Sequence, residues 1–253
     1  MISAKRSQNK KNFILTIDNN NKRYPIRKLP EEFITWNLNQ RISGLKKMLG
    51  QHHKSSPGLG GHLPVYITNN PETSLFTVSA ATKGTGFVAK DEYLDYYINK
   101  FKTVYKQTDF KEKVSAKKTK EAIQQRISAI LEFYENTNKI DLRCLSGLEI
   151  WPGRTSKNFM LDPRVSLHFL GMPSHDTPMK YYQWQINCIW EKIEPQDKRF
   201  EFGVVLRQLT MGNLNIVPGH IPTKQTPIRG NYPFGWTLWV IETINKGIQA
   251  IHS

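Results

Sequence analysis

Acidic residues and cysteines are both scarce in this 253-residue chain: 21 Asp and Glu stand against 36 Lys and Arg, and there are two cysteines. Cys144 and Cys188 lie far apart and neither sits in a CxxC pair, which argues against a disulfide framework and against a cysteine-built metal site. Two buried thiols are expected instead, in a reducing compartment. No apolar run reaches the ~18 residues that a membrane helix needs. The opening stretch, Met1 to Asn12, is basic and polar without the apolar core of a signal peptide. A soluble, intracellular protein is therefore expected, cytoplasmic or in the nucleoid or nucleus.

What is present is ordinary globular material with an uneven charge. Hydrophobic residues make up 38% and aromatics 11%, enough for a core in a chain of this length. Up to Lys139 there are 24 Lys and Arg against 12 Asp and Glu; from Ile140 onward the counts are 12 and 9. An excess of this size is a field that attracts polyanions.

Local patterns predict one α+β unit, helical and basic toward the N-terminus and rich in mixed or antiparallel sheet toward the C-terminus. Residues 1–12 read as a flexible basic arm and 13–253 as a single domain, with a possible sub-boundary near 137–140. Phe13 to Ile17 and Tyr24 to Arg27 flank the turn-forming run Asp18-Asn19-Asn20-Asn21, a hairpin pattern. Pro30 with Glu31 and Glu32 starts a helix whose apolar residues recur through Leu49, with Gly50 as its end. Short strands are expected at Pro64 to Thr68 and Leu75 to Ala80, and helices from Asp91 to about Tyr105 and from the N-cap Ser115 to about Tyr134. Tyr182 to Ile193 and Phe200 to Leu209 read as paired strands around the turn Glu194 to Asp197, and Trp236 to Ile251 as a final helix.

The cations fall in groups. Lys5, Arg6, Lys10 and Lys11 form the arm, Lys22, Arg23, Arg27 and Lys28 decorate the hairpin, and Lys46 and Lys47 end the first long helix, with Lys54 just beyond. Lys111, Lys113, Lys117, Lys118 and Lys120 flank or open another helix, against the direction its dipole favours. Converging on one face, they would neutralise several phosphates. Lys180 beside Tyr181, Tyr182 and Trp184 is a candidate stacking cluster for single strands. Lys224 and Arg229 lie in the Pro/Gly-rich stretch from Val217 to Pro233, long enough to cap a site.

Other motifs carry less. His52, His53 and His62 sit in a glycine-rich stretch without a completing ligand set. Gly58, Gly60 and Gly61 precede a strand where a phosphate cradle needs a helix; Lys83-Gly84-Thr85-Gly86 does run toward a helix and is the better cradle candidate. His168 alternates with apolar neighbours and reads as structural. His175-Asp176-Thr177 lacks the second half of a two-histidine phosphoesterase pair.

Between Asp141 and Gln185, the runs Gly147-Leu-Glu149-Ile-Trp151, Thr155-Ser-Lys-Asn-Phe-Met160 and Tyr182-Gln-Trp-Gln185 resemble the core of lambda-exonuclease-like nucleases, of the restriction-endonuclease-like group. The resemblance covers about 45 residues. It implies Asp141 and Glu149 as ligands of a Mg²⁺ ion at adjacent strand ends, with Gln183 or Gln185 as a helix-borne polar residue. Trp151 stands where that family has its lysine, so Lys157 or Lys180 would have to substitute.

The leading expectation is a nucleic-acid-binding protein, DNA or RNA, whose contacts are mainly electrostatic and need no cofactor. A metal-dependent nuclease and an interaction module for an acidic protein are the alternatives.

Overall fold

The computed structural model describes residues 2–50, 62–70, 77–110, 114–150, 152–171, 181–211 and 232–247, an α+β arrangement of two antiparallel sheets and five α-helices. Strands β1 (Ile2–Arg6), β2 (Asn12–Ile17) and β3 (Asn20–Pro25) form a three-stranded sheet. Its first strand corrects the expectation of a flexible arm. Ile2 and Ala4 alternate with Ser3 and Lys5, so β1 can turn its apolar side inward and pair with β2 from Ile2↔Ile17 to Arg6↔Phe13. The expected hairpin is present. Asp18 and Asn19 take φ of 48° and 64°, the left-handed pair of a tight hairpin turn, which short polar side chains tolerate.

Helix α1 (Glu31–Met48) begins after Pro30, carries Glu31 and Glu32 in its first turn, and stops at Gly50, whose φ of 75° suits glycine. It buries Phe33, Ile34, Trp36 and Leu38. The larger sheet contains β4 (Val65–Asn69), β5 (Val78–Thr82), β6 (Cys144–Leu148), β7 (Arg164–Gly171), β8 (Tyr182–Ile193) and β9 (Gly235–Asn245). Its order is β5-β4-β7-β8-β9-β6 and every pairing is antiparallel. The remaining helices are α2 (Leu94–Thr108), α3 (Ala116–Glu135), α4 (Arg154–Leu161) and α5 (Lys198–Met211). Ser115 caps α3 by accepting the Lys118 amide at 3.3 Å.

Two expected elements are exchanged. The run expected as a strand at 200–209 is α5: Asp197 accepts the Arg199 amide at 2.7 Å as a cap, and Phe202, Val205 and Leu209 bury one helical stripe. The run expected as a final helix is instead β9. It lies between β8 and β6, so residues 235–240 are buried on both faces and read as a continuous apolar run. Its Trp, Thr, Val and Ile content suits a strand.

The core lies on both faces of the large sheet. On one face Val165, Leu167 and Phe169 of β7 meet Trp184 and Ile186 of β8, and Phe33 of α1 packs edge-on against Phe169 at 5.0 Å. Phe159 of α4 stacks on Trp190 at 5.2 Å. The opposite face is covered in part by the small sheet, through Phe13 against Trp239 at 6.4 Å. Helices α2, α3 and α5 join through Phe101, Phe133 and Phe202. Near 137–140 the chain is tied to the stretch before α2: Lys90 donates to the Lys139 carbonyl, and Asp141 to that of Val88, both at 2.9 Å. Among the described residues, no helix is long and apolar enough to cross a membrane.

Candidate polyanion-binding surface

The small sheet and the segments beside its strands carry one group of positive charges without ion-pair partners among the described residues. Alternation along its strands turns Phe13 and Leu15 to the core and leaves Ile14 on the outer face, where register sets Lys5 and Arg23 on either side of it. Lys22 is set opposite Leu15, on the other side of the sheet, yet is exposed at the edge strand; Lys11 just before β2 and Arg27 and Lys28 just after β3 are exposed too, as are Lys5 and Arg23. None of these six forms an ion pair with the described residues. The sequence explains why: Asp18 is the only acid between Ile2 and Lys28.

The other cations of the arm are engaged. Arg6 turns inward, lies over the Trp239 ring at 4.7 Å and pairs with Glu191 at 3.3 Å. Lys10 pairs with Asp91 at 3.6 Å, and Lys46 with Glu135 at 3.2 Å beside an exposed Lys47. Lys117, Lys118 and Lys120 are exposed at the start of α3, with Lys118 over Phe110 at 4.8 Å. Along α3, at 1.5 Å per residue, Lys118 is about 25 Å from the end that Lys46 joins. These lysines and Lys46 therefore belong to different patches. Lys111, Lys113, Lys180, Lys224 and Arg229 lie outside the described residues, as do Trp151, His52, His53, Lys54, Gly58, Gly60, Gly61 and the His175-Asp176-Thr177 run.

The stacking cluster is largely internal. Trp184 is buried, and Tyr182 is half-buried, stacked on Trp36 at 5.7 Å with a 17° interplanar angle. Tyr181 alone of the three is exposed.

Asp141 and Glu149 do not meet. They flank β6, whose five residues alone put about 13 Å between its ends at roughly 3.3 Å per residue. Each also has its own cations. Asp141 accepts from Arg143 at 2.8 and 2.9 Å and from Arg199 at 2.9 Å, and Arg199 reaches on to Asp91 at 2.8 Å. Burial works to raise the Asp141 pKa, but the hydrogen bonds and charges of Arg143 and Arg199 prevail and bring it to about 2. Glu149 is buried, held by both oxygens to Lys83 Nζ at 3.0 and 2.9 Å and by the Ser156 hydroxyl. A divalent ion needs carboxylate oxygens converging at about 2–2.6 Å, and these two sites are separate and already neutralised. The residues present do not fit the Mg²⁺ site that the nuclease resemblance implies. Among the described residues no three His, Cys, Asp or Glu side chains cluster to hold a metal.

Lys83, Ser156 and Arg199 complete these buried networks, and sequence reasoning did not assign them there. Lys83 carried a signal only as part of the Lys83-Gly84-Thr85-Gly86 stretch. That stretch is no phosphate cradle. Its Thr85 amide donates to the His62 carbonyl and its Gly86 amide to that of Ser146, both at 2.8 Å, so neither is free for an anion.

Gln183 and Gln185 are on a strand, β8, rather than on a helix. They point to the face of the large sheet opposite Trp184 and Ile186, together with His168, Ser166 and Asn187. His168 is half-buried there, its pKa lowered by burial and by the charge of Lys246. Where this face meets the small sheet, a cleft of about 500 Å³ opens, lined by Leu15 and Tyr24 on one side and by Ile67, Arg164, Ser166 and Asn187 on the other. Both thiols are interior. Burial, with the nearby Asp141 charge, pushes Cys144 up to about 12, and burial also raises Cys188.

No protein-family model matches the chain, and no curated protein matches it.

Proposed function

We propose that the protein binds nucleic acid, mainly through its phosphates, on the three-stranded sheet. The observation that carries the reading is the concentration of six exposed cations without ion-pair partners among the described residues, Lys5, Lys22 and Arg23 on the small sheet and Lys11, Arg27 and Lys28 in the segments flanking its strands, with a single acid among them. A monomer gains nothing in stability from crowding like charges, so a polyanionic partner is the physical reason to keep them. The cleft beside Tyr24 and Arg164 gives that surface an adjoining groove.

The test is a salt series with fluorescent oligonucleotides on the natural chain, Lys22→Ala/Arg23→Ala/Arg27→Ala and the control Lys117→Ala/Lys118→Ala/Lys120→Ala. Each phosphate contact contributes about −0.7 (single strand) to −0.9 (duplex) to the slope of log affinity against log salt. Losing three hairpin contacts therefore flattens the slope by about 2–3 and weakens binding near 0.15 M salt by roughly a hundredfold. Equal loss in both triple variants would refute the assignment to the small sheet. Displacement by polyglutamate at concentrations that nucleic acid cannot match would favour an acidic protein partner instead.

A further inference from the structure

The unclaimed feature nearest the basic sheet is the half-buried part of the large sheet's face that adjoins the cleft. Across β4, β7, β8 and β9 the register aligns Val65, His168, Gln185 and Ile244 in one row and Ile67, Ser166, Asn187 and Glu242 in the next. No residue in either row is fully buried. A face meant to stay idle does not need a built hydrogen-bond array, yet this one has it. The Asn187 carbonyl accepts from Ser166 Oγ at 2.9 Å and from Gln185 Nε2 at 3.0 Å, while the Asn187 amide donates to Glu242 at 2.7 Å. One Asn187 N–H has no partner among the described residues, but its carbonyl is saturated by its neighbours.

Gln185 is not. One of its amide hydrogens is held by Asn187, which fixes the side chain, while its carbonyl and second N–H have no partner among the described residues. His168 stands beside it in register, and Lys246 is close enough to His168 to lower its pKa. Arg164, anchored by Asp162 at 2.7 Å and with its side chain 48% exposed, stands at the cleft end of the same face. A fixed amide offering one donor and one acceptor is what a base edge can pair with and a phosphate cannot use fully. An unpaired strand can lay its base edges on a sheet face, whereas a duplex shows its edges only inside its grooves.

We propose that this face, centred on Gln185 and His168, takes the bases of a single nucleic-acid strand, with Arg164, Lys246 and the cations of the small sheet holding its phosphates. The inference rests on the nucleic-acid reading above and adds the strand state and the base-reading residues. Glu242 bounds the site, since its charge repels the backbone and keeps the strand toward β7 and β8.

The experiment measures affinity for single-stranded and duplex oligonucleotides of equal length, using the natural chain, Gln185→Glu and Asn187→Ala. Gln185→Glu keeps the size but replaces Nε2 and both its hydrogens with a charged oxygen, so the bond to Asn187 goes with the free N–H, and Asn187→Ala removes that orienting bond while leaving the Gln185 amide intact. Thermal unfolding of each variant controls for folding. The expected result is at least tenfold preference for the single strand. Gln185→Glu should lose at least tenfold on single strands, and Asn187→Ala several-fold. Because Asn187→Ala removes no charge, it should leave the salt slope unchanged. Tight binding with no strand preference, or with Gln185→Glu unaffected, overturns this inference while leaving electrostatic binding intact. No binding of any oligonucleotide at about 50 mM salt overturns the proposed function and this inference with it. Should Gln185→Glu unfold, His168→Gln replaces it, with the same loss on single strands expected and unchanged affinity overturning the inference.

Discussion

Replacing Asp141 by asparagine separates a structural carboxylate from a metal-binding one. Asp141 is about 2% exposed and joins three segments: it receives Arg143 from its own strand end and Arg199 from α5, which also reaches Asp91 before α2. Arg199 and Arg143 lie over Trp239 at 5.1 and 5.7 Å, so the pair also fixes the ring on which the small sheet packs. Removing one partner of a buried pair leaves the other charge unmatched and costs about 3–5 kcal/mol. In a domain of this size that lowers Tm by roughly 6–20 °C. The pH dependence supplies an independent magnitude. The carboxyl moves from 3.8 to about 2 on folding, and at about 1.4 kcal/mol per unit this is worth about 2–3 kcal/mol. Because the folded pKa is the lower one, that stabilisation is complete above about pH 4–5 and disappears as pH falls through about 2. Urea unfolding of the natural chain and Asp141→Asn across pH 2–7 would check both. The two curves should differ most at neutral pH and converge toward pH 2. A neutral-pH difference below about 0.5 kcal/mol would refute the account, as would millimolar Mg²⁺ stabilising the natural chain and not the variant.

Other consequences are quicker to test. Lys83→Met strands the buried Glu149 carboxylate and should cost about 3 kcal/mol or more in chemical unfolding, with Glu149→Gln/Lys83→Met recovering part of it. Gly147→Ala should destabilise by about 1–3 kcal/mol and shift the tryptophan fluorescence, since a Cβ there would sit 2.7 Å from the Trp236 ring. Ser115→Ala removes the α3 cap and should cost about 1 kcal/mol in thermal unfolding without touching nucleic-acid affinity.

The elements legible in the sequence were those with a local cause. Asp18-Asn19 turns the hairpin, Pro30 with two glutamates starts α1, and Ser115 caps α3; in each case the deciding contacts lie within a few residues. The misread elements were decided at long range. β9 is a strand because β8 and β6 flank it, and burial on both faces removes the alternation that marks a strand. The segment 198–211 is a helix because Asp197 caps it and its stripe meets Phe101 and Phe133. The nuclease resemblance rested on residue types in order, whereas metal binding needs convergence. Chain order could not reveal that β6 separates Asp141 from Glu149 or that Arg199 and Lys83, 58 and 66 residues away, neutralise them. Charge counting located the positive half of the chain but not which cations were spent. Arg6, Lys10 and Lys46 have partners from other elements, and Lys5, Lys11, Lys22, Arg23, Arg27 and Lys28 do not pair with any described residue.

The central claim is that these six cations act together on a polyanion. Its most direct measurement is the affinity of the natural chain for a single-stranded oligonucleotide from about 50 to 300 mM salt. Six phosphate contacts predict a log–log slope of about −4. A slope shallower than about −1, or no binding at the lowest salt, would contradict it.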